Sequence, residues 1–447
     1  MRTPLLDAAE RYLRRDMSRF HMPGHKGVAK APFWDALPWD LTEIPGLDSL
    51  YAPDGPIAES EALFARLYGA KASLLSAEGS SLCVQTMLAL ALHPGDSLIA
   101  ARGVHASAVN AMALLDLHPS WIYPPTNADN GLMEPVSPTQ VEAAIRENPS
   151  ARAVYLTSPD YFGITADIAG IAAVCKLYGK YLLVDGAHCP HYRFLNPPMD
   201  PISLGADLCC NSLHKILPAL TGAAVLHVGN PDLVKDAKQR MALFGSTSPS
   251  YLILLSCDNL LPYLAEEFPP QLHELALRVG ECRQLAEEKG MLLPGGVVDP
   301  IRLTMGFGAM GYTADEFRVQ MELYQVEPEY TDSYYCVLLP GVDNSPKDWK
   351  RLEKLLCALE RRTPLPLPAC PGTGGTHYPT EQACSLRDAA FAPTVTLPVE
   401  ESAGRIAGAT AAPCPPGVPL ALPGERIGEE TAELLKRCGI LQVNVLQ

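Results

Sequence analysis

"NSLHKILPALTG" (residues 211–222) follows the short apolar run Asp207–Cys210 and sets Lys215 just past the end of a strand-like segment. A lysine in a buried position is costly unless a partner neutralises it or its amine has become something other than an ammonium ion. Outward from this stretch, Ser97–Ala101, Ala153–Thr157, Tyr181–Asp185, Asp207–Ser212 and Ala223–Val228 read as short apolar strands. Helical segments such as Thr139–Arg146 and Asp167–Tyr178 separate several of them. Strands alternating with helices predict an α/β fold built on a mainly parallel, doubly wound sheet.

At 447 residues the chain is too long for one ordinary core. It divides into a helix and irregular segment (1–55), a sheet domain with a helical connector (56–290), a small α/β unit (291–362) and a C-terminal lobe (363–447). "TPLPLPACPGTGG" (363–375) is the clearest linker-like stretch. The chain is 47% apolar and 19% charged, as a globular protein is. Its formal charge of −15 disfavours nonspecific nucleic-acid binding and is compatible with a cationic small substrate. Thirteen cysteines show neither C-x-x-C nor metal-ligand spacing, and no signal peptide or long apolar run precedes them. Reduced thiols in a cytoplasmic protein, with no metal and no membrane span, are the expectation.

In an open α/β sheet, ligands collect at the carboxyl ends of the strands. Four features fall there. "EGSS" (78–81) opens a helix, so Ser80 and Ser81 are candidates to hold a phosphate at a helix N-terminus. His105 in "ARGVHAS" follows a strand, "LLVDGAH" ends one with Asp185 and adds His188, and "NSLHK" supplies His214 and Lys215. Singly, each has a plain structural reading, such as a cap or a hydrogen-bonded core histidine. Together they match the needs of pyridoxal 5'-phosphate: a lysine for its aldehyde, a carboxylate for its pyridine nitrogen, a phosphate cup and a ring on its face. Lys215, Asp185, Ser80 with Ser81, and His105 fill these roles in turn.

The chain resembles the ornithine/lysine/arginine decarboxylase family. The stretches that carry the resemblance are "FHMPGHKG" (20–27), "SPDYFGITADI" (158–168), "VDGAHCPHYRF" (184–194), "SLHKILPALTGAAVLHV" (212–228), "STSPSYLILLS" (246–256) and "GRIAGATAAPCPPGVPLALPGERI" (404–427). The resemblance implies a fold-type-I (aspartate-aminotransferase-like) architecture with smaller C-terminal α/β lobes. It also implies decarboxylation of a basic amino acid (arginine, lysine or ornithine), with polyamine biosynthesis as the setting. By the same resemblance Lys215 binds the cofactor, Asp185 meets the pyridine nitrogen and His105 stacks on the ring. Ala187, His188, Ser212 and His214 surround the cofactor, and His214 or a nearby cysteine or histidine is the candidate for returning a proton to Cα. Thr247 and Ser248 are implied to reach the phosphate of a neighbouring subunit, which makes a homodimer the smallest active unit. Glu425, in "PGE", is implied to meet the distal cationic group of the substrate.

The stretch after Asp185 departs from the family's Asp-Glu-Ala-His: Gly186 replaces the glutamate, and Cys189-Pro190 follow the histidine. The chain resembles the short branch of the family, without a long N-terminal regulatory-type domain. An aminotransferase or carbon–sulfur lyase on the same fold is the alternative reading. An aminotransferase would hold the substrate α-carboxylate with an arginine of the small domain, and Arg302 in "PIRLTMGF" is the residue available for it. A non-catalytic protein built on the same fold would have no use for the lysine, the aspartate and the phosphate turn.

Overall fold

The structure, a computed structural model, describes residues 14–20, 41–43, 47–368, 380–413 and 417–447. "HMPGHKG" (21–27), most of the expected N-terminal helix and residues 369–379 of the linker-like stretch lie outside them.

The central sheet has seven strands: β2 (Ala72–Ser76), β3 (Ser97–Ala101), β4 (His118–Ile122), β5 (Ala153–Thr157), β6 (Tyr181–Asp185), β7 (Leu208–Ser212) and β8 (Ala224–Val228). Their spatial order is β2-β8-β7-β6-β5-β3-β4. Strands β3 to β7 run parallel, whereas β8 is antiparallel to both of its neighbours, β2 and β7. All five residues of β7 and of β8 are buried, as in strands covered on both faces, although Asn211, Ser212 and His227 are polar. The five strands expected from sequence are in place. The edge strand β4, "HPSWI", buries only Ile122, so it carries no apolar run by which to recognise it.

Helices α1 (Pro56–Tyr68), α2 (Gly79–Ala91), α3 (Ala106–Leu114), α4 (Pro138–Glu147) and α5 (Ile168–Leu177) accompany the strands. Their starts differ in a way that matters for the site. Helix α4 is closed by a capping box, Ser137 with Gln140, and α5 by Asp167 accepting from the Gly170 N–H. Helix α2 follows Glu78 with no side-chain cap; the Gly79 N–H donates to the Gly222 carbonyl at 2.7 Å, and the amides after it lack a capping side chain. One apolar cluster, with Met87, Leu98, Tyr155 and Leu226, covers one sheet face. A second, with Ile99, Val154, Ile171 and Val184, covers the other.

The long helix α6 (Phe268–Lys289) leads to a three-stranded antiparallel sheet of β9 (Leu303–Met305), β11 (Tyr330–Thr331) and β12 (Cys336–Leu338). Strand β10 (Val326–Pro328) pairs in parallel with β1 (Ser18–Phe20) instead. Helices α7 (Ala314–Leu323) and α8 (Pro346–Ala358) pack here, and their apolar faces join one cluster with α6, Phe20, Phe64 and Leu217. The C-terminal lobe holds α9 (Leu386–Phe391), α10 (Glu429–Arg437) and the antiparallel pair β13 (Thr394–Pro398) and β14 (Gln442–Leu446). It has an apolar cluster of its own, including Val399, Leu420, Leu435 and Val445. Among the described residues no helix is long and apolar enough to cross a membrane.

Candidate active site

The carboxyl ends of β5, β6 and β7 open onto one cleft of about 650 Å³, counted out to its mouth. Ser80, His105, Thr157, Asp160, Tyr161, Asp185, Ala187, His188, Lys215 and Val418 are among its lining residues. All but Val418, which comes from a loop of the C-terminal lobe, arrive from a strand end or from the segment directly after one, where side chains point past the last ladder bond into open space.

Lys215 lies in the one-turn helix Leu213–Ile216 directly after β7. Its Nζ is 3.0 Å from His188 Nε2. Arg302, buried to 1% exposure, places NH2 3.3 Å from His188 Nδ1. A guanidinium only donates, so Nδ1 accepts and the imidazole proton sits on Nε2. That proton then points at the Lys215 lone pair, an arrangement that needs the neutral amine. Burial lowers the Lys215 pKa from its usual value, opposed by the fields of Asp185 and Glu329. Burial, then Lys215 and Arg302, holds His188 well below the ordinary histidine value.

Asp185 is the last residue of β6 and is 3% exposed. Its Oδ1 accepts from the Ala187 N–H at 3.1 Å and from Cys210 Sγ at 3.4 Å, and its Oδ2 from the Tyr155 hydroxyl at 3.4 Å. All three donors are neutral. His105 caps α3, with Nδ1 accepting from the Ser107 N–H at 3.1 Å, and burial lowers its pKa. Ser80 stands in the first turn of α2 and receives the Ser212 hydroxyl at 2.9 Å.

Gly186 has a steric cause. A Cβ there would stand 2.7 Å from Cys189 Sγ and 2.9 Å from Cys209 Sγ. The thiols occupy the space that a side chain at 186 would need, so the departure at 186 and the cysteine at 189 belong together.

The cleft therefore unites Lys215, Asp185, His105, His188, Ala187 and Ser80, with Ser212 attached through Ser80. Ser81 is exposed and is not among the lining residues. His214 is outside the lining as well, and its Nδ1 is 3.0 Å from the Ala223 carbonyl. Thr247 and Ser248 are exposed on a segment whose Ser246 N–H donates to Glu78 at 2.6 Å, beside the α2 turn. Glu425 is not among the lining residues either. It is 2% exposed, pairs with Arg102 at 3.1 Å and accepts from the Leu422 N–H at 2.8 Å, so it is an internal ion pair rather than a wall of this chain's cleft. Arg302, the residue considered for a substrate carboxylate, is occupied by the Tyr161 carbonyl at 2.7 Å, by His188 and by Asp299 at 3.7 Å.

Sequence reading assigned no role to Thr157, Asp160, Tyr161 or Glu329. Asp160 and Tyr161 lie inside "SPDYFGITADI", so the stretch was visible although the roles were not. Burial pushes the Asp160 pKa up to about 7. The Tyr161 hydroxyl donates to Glu329 at 2.6 Å, bringing a small-unit carboxylate close enough to act on Lys215.

The residues present fit pyridoxal phosphate. Its amine partner, a carboxylate and an imidazole line one cleft together with the helix end that lacks a side-chain cap. Thr157 Oγ1 also lines it, buried and without a hydrogen-bond partner among the described residues.

Comparison with known proteins decides the family. Residues 3–288 match the profile of the Orn/Lys/Arg decarboxylase major domain, and residues 381–442 match its C-terminal domain. The chain belongs to the Orn/Lys/Arg decarboxylase family. A curated arginine decarboxylase of Bacillus subtilis is 30% identical over 96% of this chain and 92% of its own length. An arginine decarboxylase of Bacillus anthracis is 28% identical over 97% and 92%. The inducible lysine decarboxylase of Escherichia coli matches 57% of the chain and 39% of its own length at 24% identity. Among solved structures, lysine decarboxylase A from Pseudomonas aeruginosa superposes with a TM-score of 0.75, covering 99% of this chain and 82% of that one at 19% identity. That likeness shows the fold, a fold-type-I architecture.

Proposed function

We propose that the cleft at Lys215 holds pyridoxal phosphate and that arginine is the preferred substrate of this decarboxylase of basic amino acids. The observation that carries the reading is the convergence of Lys215, Asp185, His105 and the open end of α2 on one cleft. The support for arginine over lysine and ornithine is that two Bacillus relatives that match this chain over almost its whole length carry the name arginine decarboxylase.

When bound, the cofactor supplies an electron-withdrawing ring that takes up the electron pair left by the departing carboxylate. The chain's own residues prepare for this. Lys215 presents a neutral, nucleophilic amine because His188 and Arg302 orient a proton toward its lone pair and burial disfavours the ammonium form. Asp185 offers the carboxylate for the ring nitrogen. His105 supplies a flat face. Ser80 and the α2 amides that follow Gly79 hold the phosphate. Tyr161 and His188 meet edge to face, with centroids 5.5 Å apart, and form one wall. Walls of this kind exclude water and fix the direction in which the substrate carboxylate points.

Arg302 is not among the cleft-lining residues, and its terminal nitrogens already meet the Tyr161 carbonyl, His188 and Asp299, which disfavours the aminotransferase alternative. Thr247 and Ser248, exposed and outside their own cleft, suit a homodimer in which a second copy supplies them. The deciding experiment measures carbon dioxide release from arginine, lysine and ornithine, together with the site of borohydride-fixed cofactor. Release fastest from arginine with the label on Lys215 supports the reading. Label on another lysine, or ammonia transfer in place of carbon dioxide release, overturns it.

A further inference from the structure

The segment Gly417–Glu425 reaches from the C-terminal lobe to the strand end that carries His105. Gly417 has φ +77°, and a Cβ added to it would stand 2.8 Å from His105 Nε2 and 2.9 Å from Cδ2. The opposite edge of the imidazole is held by Ser107, whose N–H donates to Nδ1 at 3.1 Å. A neutral ring held this way carries its proton on Nε2, the edge that faces Gly417.

The backbone around His105 is tied to the same segment. The Ala106 N–H donates to the Gly417 carbonyl at 3.0 Å. Arg102 donates through NH1 to the Pro419 carbonyl at 2.9 Å and through NH2 to the Leu420 carbonyl at 3.4 Å, and pairs with Glu425 at 3.1 Å. At the far end of α3, Arg387 of α9 donates to the Leu114 carbonyl at 2.7 Å and to that of Ala113 at 3.4 Å. The helix that His105 caps is thus gripped at both ends by the C-terminal lobe. Val418, next to Gly417, lines the cleft.

We propose that the C-terminal lobe positions His105 within its own chain, with Gly417 setting the plane of the imidazole and the Arg102–Glu425 pair holding Gly417 in place. The proposal rests on the reading of His105 as the ring that stacks on the cofactor. Glycine is demanded at 417 twice, by the left-handed backbone and by the closeness of the ring. Gly417, Arg102 and Glu425 are positioning residues that act on the cofactor through His105.

The test compares Gly417→Ala with Gly404→Ala. Gly404 is in the same lobe with φ +81°, and a Cβ there would meet nothing within 4 Å, so it carries the backbone cost without the contact. Three quantities are read: the His105 imidazole NMR signal in cofactor-free protein (identified by its loss in His105→Gln), the visible circular dichroism of the bound cofactor, and kcat with KM. Gly417→Ala should shift the His105 signal, alter the cofactor band and lower kcat about 10- to 100-fold, as small misplacements of a positioned group do. KM should move much less, and Gly404→Ala should leave the signal and the band alone. An unchanged His105 signal in Gly417→Ala, or an equal shift in Gly404→Ala, overturns the proposal. If Gly417→Ala does not fold, Glu425→Gln serves in its place, and an unmoved His105 signal there overturns it equally. A shifted signal combined with a normal cofactor band in His105→Gln would instead overturn the stacking role of His105.

Discussion

Asp185 and Glu425 are both carboxylates with at most 3% exposure, and both stand in stretches that resemble the same family. Their surroundings differ. Asp185 receives only neutral donors: an amide, a thiol and a phenol. Glu425 receives a guanidinium and an amide at 3.1 and 2.8 Å. A buried carboxylate without a cation is costly, so a protein that keeps one at the edge of a cleft has left a place for a cationic group to arrive. A buried carboxylate already matched by arginine has no such vacancy, and its work is to join two parts of the chain. The role of a buried acid is read from what its oxygens already hold.

The sharpest way to break this comparison is at the amine beside Asp185. Lys215→Ala should lose all measurable turnover and all borohydride-fixed cofactor, since no other amine lines the cleft among the described residues. Mass spectrometry of the reduced protein checks the second point. Next in size, Asp185→Asn should bind cofactor yet lower kcat on the order of 10²- to 10³-fold, the loss typical when one preorganised electrostatic partner is removed. Stopped-flow turnover alongside the cofactor's absorbance tests this, and near-normal kcat would place Asp185 with Glu425 as a structural acid.

Glu425→Gln should behave in the opposite manner. Removing one partner of a buried ion pair leaves the other charge exposed to a poor environment, at a cost of about 3–5 kcal/mol. Denaturant unfolding should show that loss, while the ratio of kcat/KM for arginine over lysine stays as it was. A selective rise in KM for the preferred substrate would return Glu425 to the substrate pocket. The smallest effect is expected beside Asp185. Gly186→Ala should destabilise by about 1–3 kcal/mol through overpacking against Cys189 and Cys209. Adding Cys189→Ala should recover part of the loss in thermal unfolding, and no recovery would mean that the thiol is not what excludes a side chain at 186.

Strands β3, β5, β6, β7 and β8 were legible because each is a short apolar run bounded by turn residues, and the candidate lysine, aspartate and histidine stand at or just past such runs. The edge strand β4 was not, because an edge buries little and Pro119 breaks its apolar pattern. The antiparallel course of β8 was not either, since the direction of a strand leaves no mark on its own residues. At the site, the cleft-lining Ser80, His105, Asp185, His188 and Lys215 were all named from sequence. Tyr161, Thr157 and Glu329 were not assigned, because an aromatic, a hydroxyl and an acid on loops or strand ends are common in any chain.

The amino-acid sequence by itself determined the alternating α/β order, the lysine and aspartate at strand ends and the helix opening at Gly79. Apolar periodicity and turn chemistry act over a few residues, and those features need nothing longer. Only the tertiary structure decided what the buried charges do. Arg102 and Glu425 are 323 residues apart, and Arg302 and His188 are 114 apart. No local pattern states which acid meets which base across such spans. Burial makes the answer consequential, because a charge taken out of water must be matched by whatever the fold brings beside it.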